Sequence, residues 1–482
     1  MLPGRVNSFR ESLLTLRDRR FVAIFLLGFS SGFPWVLHGS VLTLWMQSSG
    51  LSRSAIGYIG AVATVYAINW MWAPFVDRLR LPLLYRVFGQ RRSWILLTQA
   101  FIVCSILLLS MGDPQQNLML VSLCALSVAL FSATQDIAVD AYRINIFTKQ
   151  EMDAKMPFAA AVTTTGWWAG YGFIGGALAL ALGGETIGMT WPDVYRVLAL
   201  LYIGLMVCVA LVREPDVEGS AASATVAAAE TAGDWQALEA SGVGSDRGSK
   251  PGSDSAEDEL SPFAKVRSWF RTLLIEPFRE FFQRCGWKLA VSIFALLILF
   301  RLGDAMLGRM SLVFYVEIGF SRDEIAFYTK FFGGLMTAFF CLAGALINTR
   351  FGVLRGLFVG GIAMGAANCM FAIIALVGPS VPLLLMTLVV DNFTAAFATV
   401  AFISFISYFT SRTYTGTQYA LMASVSNFGR TTLAASSGFL VDSLGGNWAL
   451  FFVLTGAMVI PGLLMLWYIG RQVEEYRGRQ LD

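Results

Sequence analysis

Apolar runs as long as a bilayer is thick recur along almost the whole chain, and no other feature limits the fold so strongly. A hydrocarbon core of about 30 Å takes about 20 residues of helix. Twelve runs read as spans, at residues 21–46, 55–76, 94–111, 118–142, 157–182 and 194–212, then 289–316, 324–347, 356–377, 383–409, 417–441 and 448–470. The composition agrees: 14% of residues are charged and the mean hydropathy is +0.63, where a soluble domain carries about 25% charged residues. Forty-six glycines suit helices that pack closely in lipid. The first run follows several arginines but extends from Phe21 to Met46. That exceeds the ~7–15 residues of a signal-peptide core, so it reads as the first span. The expected class is therefore an all-α membrane protein of two six-helix halves.

Loop charges set the expected orientation. Arg5, Arg10, Arg17, Arg19 and Arg20 precede span 1, Arg78, Arg80, Arg86, Arg91 and Arg92 follow span 2, and Arg143, Lys149 and Lys155 follow span 4. The loops after spans 3, 5, 9 and 11 have no Lys or Arg. Under the positive-inside rule both termini are cytoplasmic. Residues 1–20 form an N-terminal segment, 21–212 the first half and 286–470 the second, with a tail at 471–482. Between the halves, 213–261 turns rich in Ala, Ser, Gly, Glu and Asp and reads as a flexible linker. In 262–285, Phe263, Val266, Trp269, Phe270, Leu273 and Leu274 recur at helical spacing among basic residues, predicting an amphipathic helix on the membrane surface. A net charge of +3 is too small to suggest a nucleic-acid partner. Cys104, Cys124, Cys208, Cys285, Cys341 and Cys369 occur singly and read as small buried hydrophobes.

Charged groups at membrane depth cost about 2.5–3.5 kcal/mol each on an insertion scale, so each needs a partner, a wet cavity or a function. Asp136 and Asp140 in span 4 are one turn apart on one helix face. They suit a proton site, or an ion pair with Arg143 or with the basic loop after span 2. Arg301 and Asp304 in span 7 are spaced to pair with each other. Lys330 begins span 8, where it could snorkel. Asp391 lies beside Asn392 near the middle of span 10, and Arg430 lies within span 11. The second half thus holds most of the cations, which suits an anionic substrate, and arginine offers a planar fork to carboxylates. The first half is rich in aromatics that could stack on sugar rings. Trp35 and Trp168 read as cavity residues, Trp45 and Trp72 as interfacial anchors, and the lone His38 as packing. Pro34, after Gly28 and Gly32, reads as a hinge or as part of a tight helix contact. No P-loop, metal-ligand cluster or nucleophile–base pair is present, so the chain reads as neither an enzyme nor an ATP-driven pump, without cofactor or metal.

Several stretches carry a family resemblance. They are Gly28-Phe29-Ser30-Ser31-Gly32-Phe33-Pro34, Trp72-Ala73-Pro74-Phe75-Val76-Asp77-Arg78 with Arg91-Arg92, and Ala133-Thr134-Gln135-Asp136-Ile137 with Asp140-Ala141. In the second half they are Leu302-Gly303-Asp304-Ala305, Lys330, Thr417-Gln418-Tyr419-Ala420-Leu421 and Gly429-Arg430. With these the chain resembles the AmpG-type muropeptide permeases of the major facilitator superfamily. Arg301 and Asp391 depart from the lysine and glutamate of some relatives but keep the charge. The resemblance implies proton-coupled import of anhydro-muropeptides, GlcNAc–anhydro-MurNAc with or without peptide, across the bacterial inner membrane. It adds Gln135 and Gln418 to Arg301, Lys330, Arg430, Trp35, Trp168 and Asn392 as candidate substrate contacts. Asp77 and Arg78 likewise join Asp136, Asp140, Asp304 and Asp391 as coupling or gating candidates. The expected partners are the glycan-peptide substrate, protons and the lipid bilayer, with the chain a monomer. Two other readings stay open: an exporter of drugs or metabolites, and a non-transporting membrane sensor or scaffold.

Overall fold

The apolar runs fold as helix, with no strand among the described residues. The computed structural model describes residues 17–51, 59, 61–183, 187–215, 275–320 and 324–481. Most of the predicted N-terminal segment, linker residues 216–261 and residues 262–274 of the predicted surface helix lie outside them. Nine described helices are long and apolar enough to cross a membrane: Arg20–Ser48, Leu84–Leu109, Leu118–Asn145, Trp191–Ala210, Trp287–Ile318, Gly333–Phe351, Val353–Val377, Val381–Phe409 and Trp448–Gly470. They are spans 1, 3, 4, 6, 7, 8, 9, 10 and 12. The other three crossings are interrupted helices. Span 2 covers residues 61–78, span 5 residues 152–183 and span 11 residues 415–443. A one-residue hinge at Gly286, with φ of 78°, separates a surface helix over residues 275–285 from span 7.

The interruptions follow a pattern. Span 1 contains a π-turn at Leu37–Val41, span 5 one at Ala169–Ala177, and span 11 one at Gly429–Leu433. A further π-helical segment, Ile325–Phe332, leads into span 8. Span 7 breaks at Arg301, whose φ and ψ of -107° and 7° lie outside the helical range. Span 2 alternates short α and 3-10 turns. Such breaks disturb the backbone ladder, which lipid cannot repair, so they are tolerated only beside protein or water. Their location agrees: spans 2 and 4 pack on span 11, and span 5 packs on spans 8 and 10, and these two seams join the halves.

Glycines set the closest contact within the first half. Gly28 and Gly32 of span 1 face the Thr163 and Trp167 carbonyls of span 5, while Gly166 and Gly170 face those of Phe25 and Phe29. A Cβ at any of the four would overlap a carbonyl oxygen. The helix continues through Pro34, so this end of span 1 is a packing surface and not a hinge. Gly32→Val is expected to force spans 1 and 5 apart. Overpacking at a well-fitted site costs about 1–3 kcal/mol or more. The check is the thermal midpoint in detergent, and an unchanged midpoint would contradict the contact.

Three expectations are corrected. Trp45 is no interfacial anchor: it is 5% exposed and packs on Tyr195 at 5.4 Å between ring centroids. Trp72 turns inward, donating to Thr134 Oγ1 at 3.1 Å. Cys104 and Cys208 are exposed on the outer face and not buried.

Candidate transport site

The start of span 1 and the end of span 12 lie at one end of the bundle, where Phe21 and Val473 share a core cluster. There Arg20 bonds Asp18 and Glu151 at 2.7 and 2.6 Å, and Lys155 bonds the same two carboxylates. These cations hold the Asp18 and Glu151 carboxyls well below their usual range. At this same end the halves are tied together. Asp77, at the end of span 2, accepts from Arg91 at 2.7 Å. It also accepts from the Gly416 and Thr417 backbone N–H groups at 3.0 and 2.7 Å, and from Thr417 Oγ1 at 2.6 Å. Those N–H groups belong to the first turn of Thr415–Phe428 and are unpaired within it, so the carboxylate caps the span 11 helix and meets its positive dipole end. Arg78 donates to Tyr414 Oη at 2.9 Å. Arg143 stands 5.0 Å over the Tyr419 ring, and Thr415 Oγ1 donates to Asn145 at 3.0 Å. The seam is closed here.

Farther into the bundle the first half presents rings. Trp35 packs on Tyr66 with rings tilted by 31° and centroids 4.3 Å apart, and meets Trp167 edge-on at 6.2 Å. Trp167 stacks on Tyr171 at 4.9 Å and meets Trp168 at 5.4 Å. Trp35, Trp167, Trp168 and Tyr171 are half-buried, leaving part of each ring open. Asp136 of span 4 is also half-buried, and accepts from Ser31 Oγ at 2.6 Å. Asp140 pairs with Arg143 at 3.1 Å, the ion pair its spacing allowed. The two aspartates thus share a helix face but serve different partners.

The second half presents charge. Arg301 sits at the span 7 break, 3.4 Å from Asp304. Arg430 lies in the span 11 π-turn, exposed, with no hydrogen bond or ion pair among the described residues. The charges of Arg301 and Asp304 both act on it. Asp391 Oδ1 is buried without a hydrogen-bond partner, and the charge of Asp304 acts on this carboxylate. Asn392 accepts from Thr337 Oγ1 at 2.7 Å and donates to the Leu388 carbonyl. Lys330 lies on the π-segment before span 8, and its side chain is outside the described residues. The two halves' clusters meet across the span 5–span 8 seam. A Cβ on Gly334 would lie 3.9 Å from the Trp168 ring, and one on Gly333 would lie 3.5 Å from the Asn392 amide.

Two candidates fall away from this region. Gln135 is fully buried, donating to Ser30 Oγ at 2.6 Å and accepting from Tyr202 Oη at 2.8 Å. Both ends of its amide are used to bind spans 1, 4 and 6 together. Gln418 is 1% exposed and lies under the surface helix, donating to the Pro277 carbonyl at 2.9 Å and to Glu280, and accepting from Arg284 at 2.9 Å. It clasps that helix to span 11. Sequence reading names Trp167 and Tyr171 among the first-half aromatics but misses Tyr66, which packs against Trp35.

Comparison with known proteins fits this architecture. No family model matches the chain. It is 29% identical over 458 residues to a protein of Rickettsia felis called putative transporter AmpG 4, covering 95% of this chain and 98% of that one. It is 26% identical over 467 residues to the anhydromuropeptide permease of Escherichia coli K12, covering 97% of this chain and 82% of the relative. Among solved structures, the E. coli fucose:proton symporter FucP superposes with a TM-score of 0.60 at 12% identity, covering 94% of this chain and 98% of that one. The proton:xylose symporter XylE gives a TM-score of 0.60 at 12% identity, covering 95% and 96%. At that identity the structural likeness speaks for the fold alone. The described helices thus have the fold of the major facilitator symporters, and the sequence is similar over most of its length to AmpG-type permeases.

Proposed function

We propose that the protein imports anhydro-muropeptides from periplasm to cytoplasm by alternating access, with protons as the coupling ion. The observation that carries this reading is the division of the central site. Half-open rings on spans 1 and 5 stand in one half, and Arg301, Asp304, Asp391 and Arg430, the last without an ion pair among the described residues, stand on spans 7, 10 and 11 of the other, with span 8 packed between Trp168 and Asn392. GlcNAc–anhydro-MurNAc has the sugar faces for the first and, through its lactyl or peptide carboxylate, the anion for the second. The E. coli relative's name supports the same substrate class. Two features support coupling. Carboxylates stand in both halves, and Asp391 has an oxygen that a proton would satisfy. On the positive-inside reading the closed end is cytoplasmic, so the site in this conformation serves the periplasm.

Reconstitution into liposomes tests the reading. Labelled GlcNAc–anhydro-MurNAc is expected to accumulate against its gradient when the lumen is made alkaline, and to leak back when an uncoupler collapses the pH difference. Flux equal to that of empty liposomes would rule out this substrate. Flux without accumulation would rule out coupling.

A further inference from the structure

Span 7 carries a second arginine beyond its break, Arg309, which is exposed and has no hydrogen bond or ion pair among the described residues. The packing of the helix fixes the way it faces. Gly303 backs onto the Thr455 carbonyl of span 12, Phe314 packs on Phe452 of span 12 at 4.7 Å between ring centroids, and Tyr315 packs on Phe371 of span 9 at 6.4 Å. Spans 9 and 12 are outer helices: Val359, Ile362 and Leu376 of the one and Val453, Leu464 and Trp467 of the other stand exposed, the apolar surface that lipid covers. At about 100° per residue, Arg309 lies about 120–140° around the helix from Gly303, Phe314 and Tyr315. It therefore points away from the outer helices and into the bundle. The Met310 side chain comes 4.0 Å from where a Cβ on Gly438 of span 11 would lie, so this side borders the span that holds Arg430. A Cβ on Gly308 would meet nothing within 4 Å, so there is open space beside Arg309. A guanidinium turned to lipid at this depth would be costly, whereas one in a wet vestibule is not.

Arg309 adds a second level of positive charge. Spans 7 and 11 both start at the closed end of the bundle. Arg301 lies fourteen residues past Trp287, and Arg430 fifteen past Thr415, so these two share a level. Arg309 lies eight residues past Arg301, or about 12 Å farther from the closed end at 1.5 Å per residue. A muropeptide carries its anion at one of two matching positions. Without peptide, the lactyl carboxylate is free beside the sugar. With peptide, that carboxyl is consumed in an amide bond, and the arm ends in a carboxylate three or four residues away, about 10–14 Å when extended. We propose that Arg309 receives the terminal carboxylate of the peptide arm, while the level of Arg301 and Arg430 receives the lactyl carboxylate of the bare disaccharide. One site then takes both forms with the sugar in the same place. This rests on the muropeptide reading.

The test is calorimetric binding to the full chain in detergent with three probes. They are GlcNAc–anhydro-MurNAc and the same disaccharide carrying trialanine with either a free or an amidated C-terminus. Wild type is expected to prefer the free terminus to the amide by about fivefold or more, as for an exposed ion pair that also gains hydrogen bonds. Arg309→Gln is expected to bind the two peptide probes alike. It should bind the bare disaccharide as wild type does, which also shows that the variant is folded. Arg309→Lys keeps the charge and should recover part of the preference. A free-terminus preference that survives in Arg309→Gln, or that wild type lacks, would overturn the assignment. Equal weakening of all three probes in Arg309→Gln would overturn it too, because the arginine would then support the site as a whole. A wild type that binds none of the three would instead refute the muropeptide reading, and the assignment with it.

Discussion

Asp77→Ala is expected to open the end of the bundle where span 1 starts and span 12 ends. The Asp77 side chain is 1% exposed and that of Arg91 6%, and they meet at 2.7 Å. Removing the carboxylate leaves the guanidinium buried without its counter-charge, and breaking a buried pair in this way costs about 3–5 kcal/mol. Two N–H groups in the first turn of span 11 lose their acceptor as well, where loss of a cap costs about 1 kcal/mol. Relaxation and water entry recover part of this. A net loss of about 3 kcal/mol would shift the equilibrium away from the closed seam by about 100-fold. Spin labels at Arg80 and Thr413, both exposed beside the latch, would report a longer distance in the variant. The same variant should melt earlier in detergent. An unchanged distance distribution together with an unchanged midpoint would mean that Asp77 does not hold the seam.

Arg430→Ala is expected to cost most of the discrimination between charged and neutral substrates. Arg430 has no ion pair of its own among the described residues, so its charge is available to a ligand. Hydrogen bonds to charged groups contribute about 1.5–3 kcal/mol. A value of about 2 kcal/mol within that range is about 30-fold in Kd. The clean comparison is a carboxylate substrate against its amide. Wild type should prefer the carboxylate by about 30-fold, and Arg430→Ala should bind the two alike. Arg430→Lys should restore only part of the preference, because an ammonium cannot offer the two-pronged contact of a guanidinium. If the variant still prefers the carboxylate by the wild-type margin, Arg430 does not contact it.

Much of the site was legible as types of residue and little of it as geometry. Intramembrane charge is costly enough to stand out in any sequence, so Asp136, Arg301, Asp304, Asp391 and Arg430 were found by cost alone. Gln135 and Gln418 show the opposite case. Motif position suggested substrate contacts, yet an uncharged amide is readily consumed by neighbours, and helix packing gave one to Ser30 and Tyr202 and the other to the surface helix. Tyr66 was passed over because a tyrosine in an apolar run is usually core. Its partner His38 lies 28 residues away in sequence and 3.2 Å away in space.

The sequence by itself determined the class and where the apolar runs lie. Each follows from a local quantity, the length of apolar chain that spans a bilayer and the residue types within it. Only the tertiary structure decided where the helices break and what the breaks achieve. His38, Arg301, Lys330 and Arg430 all stand at π-turns or at the span 7 break, and Trp168 directly precedes one. Hydropathy does not register a one-residue change in helical pitch. Such a turn survives in a membrane only where a neighbouring helix or water takes up the displaced backbone groups, so its position is set by the packing of one half against the other.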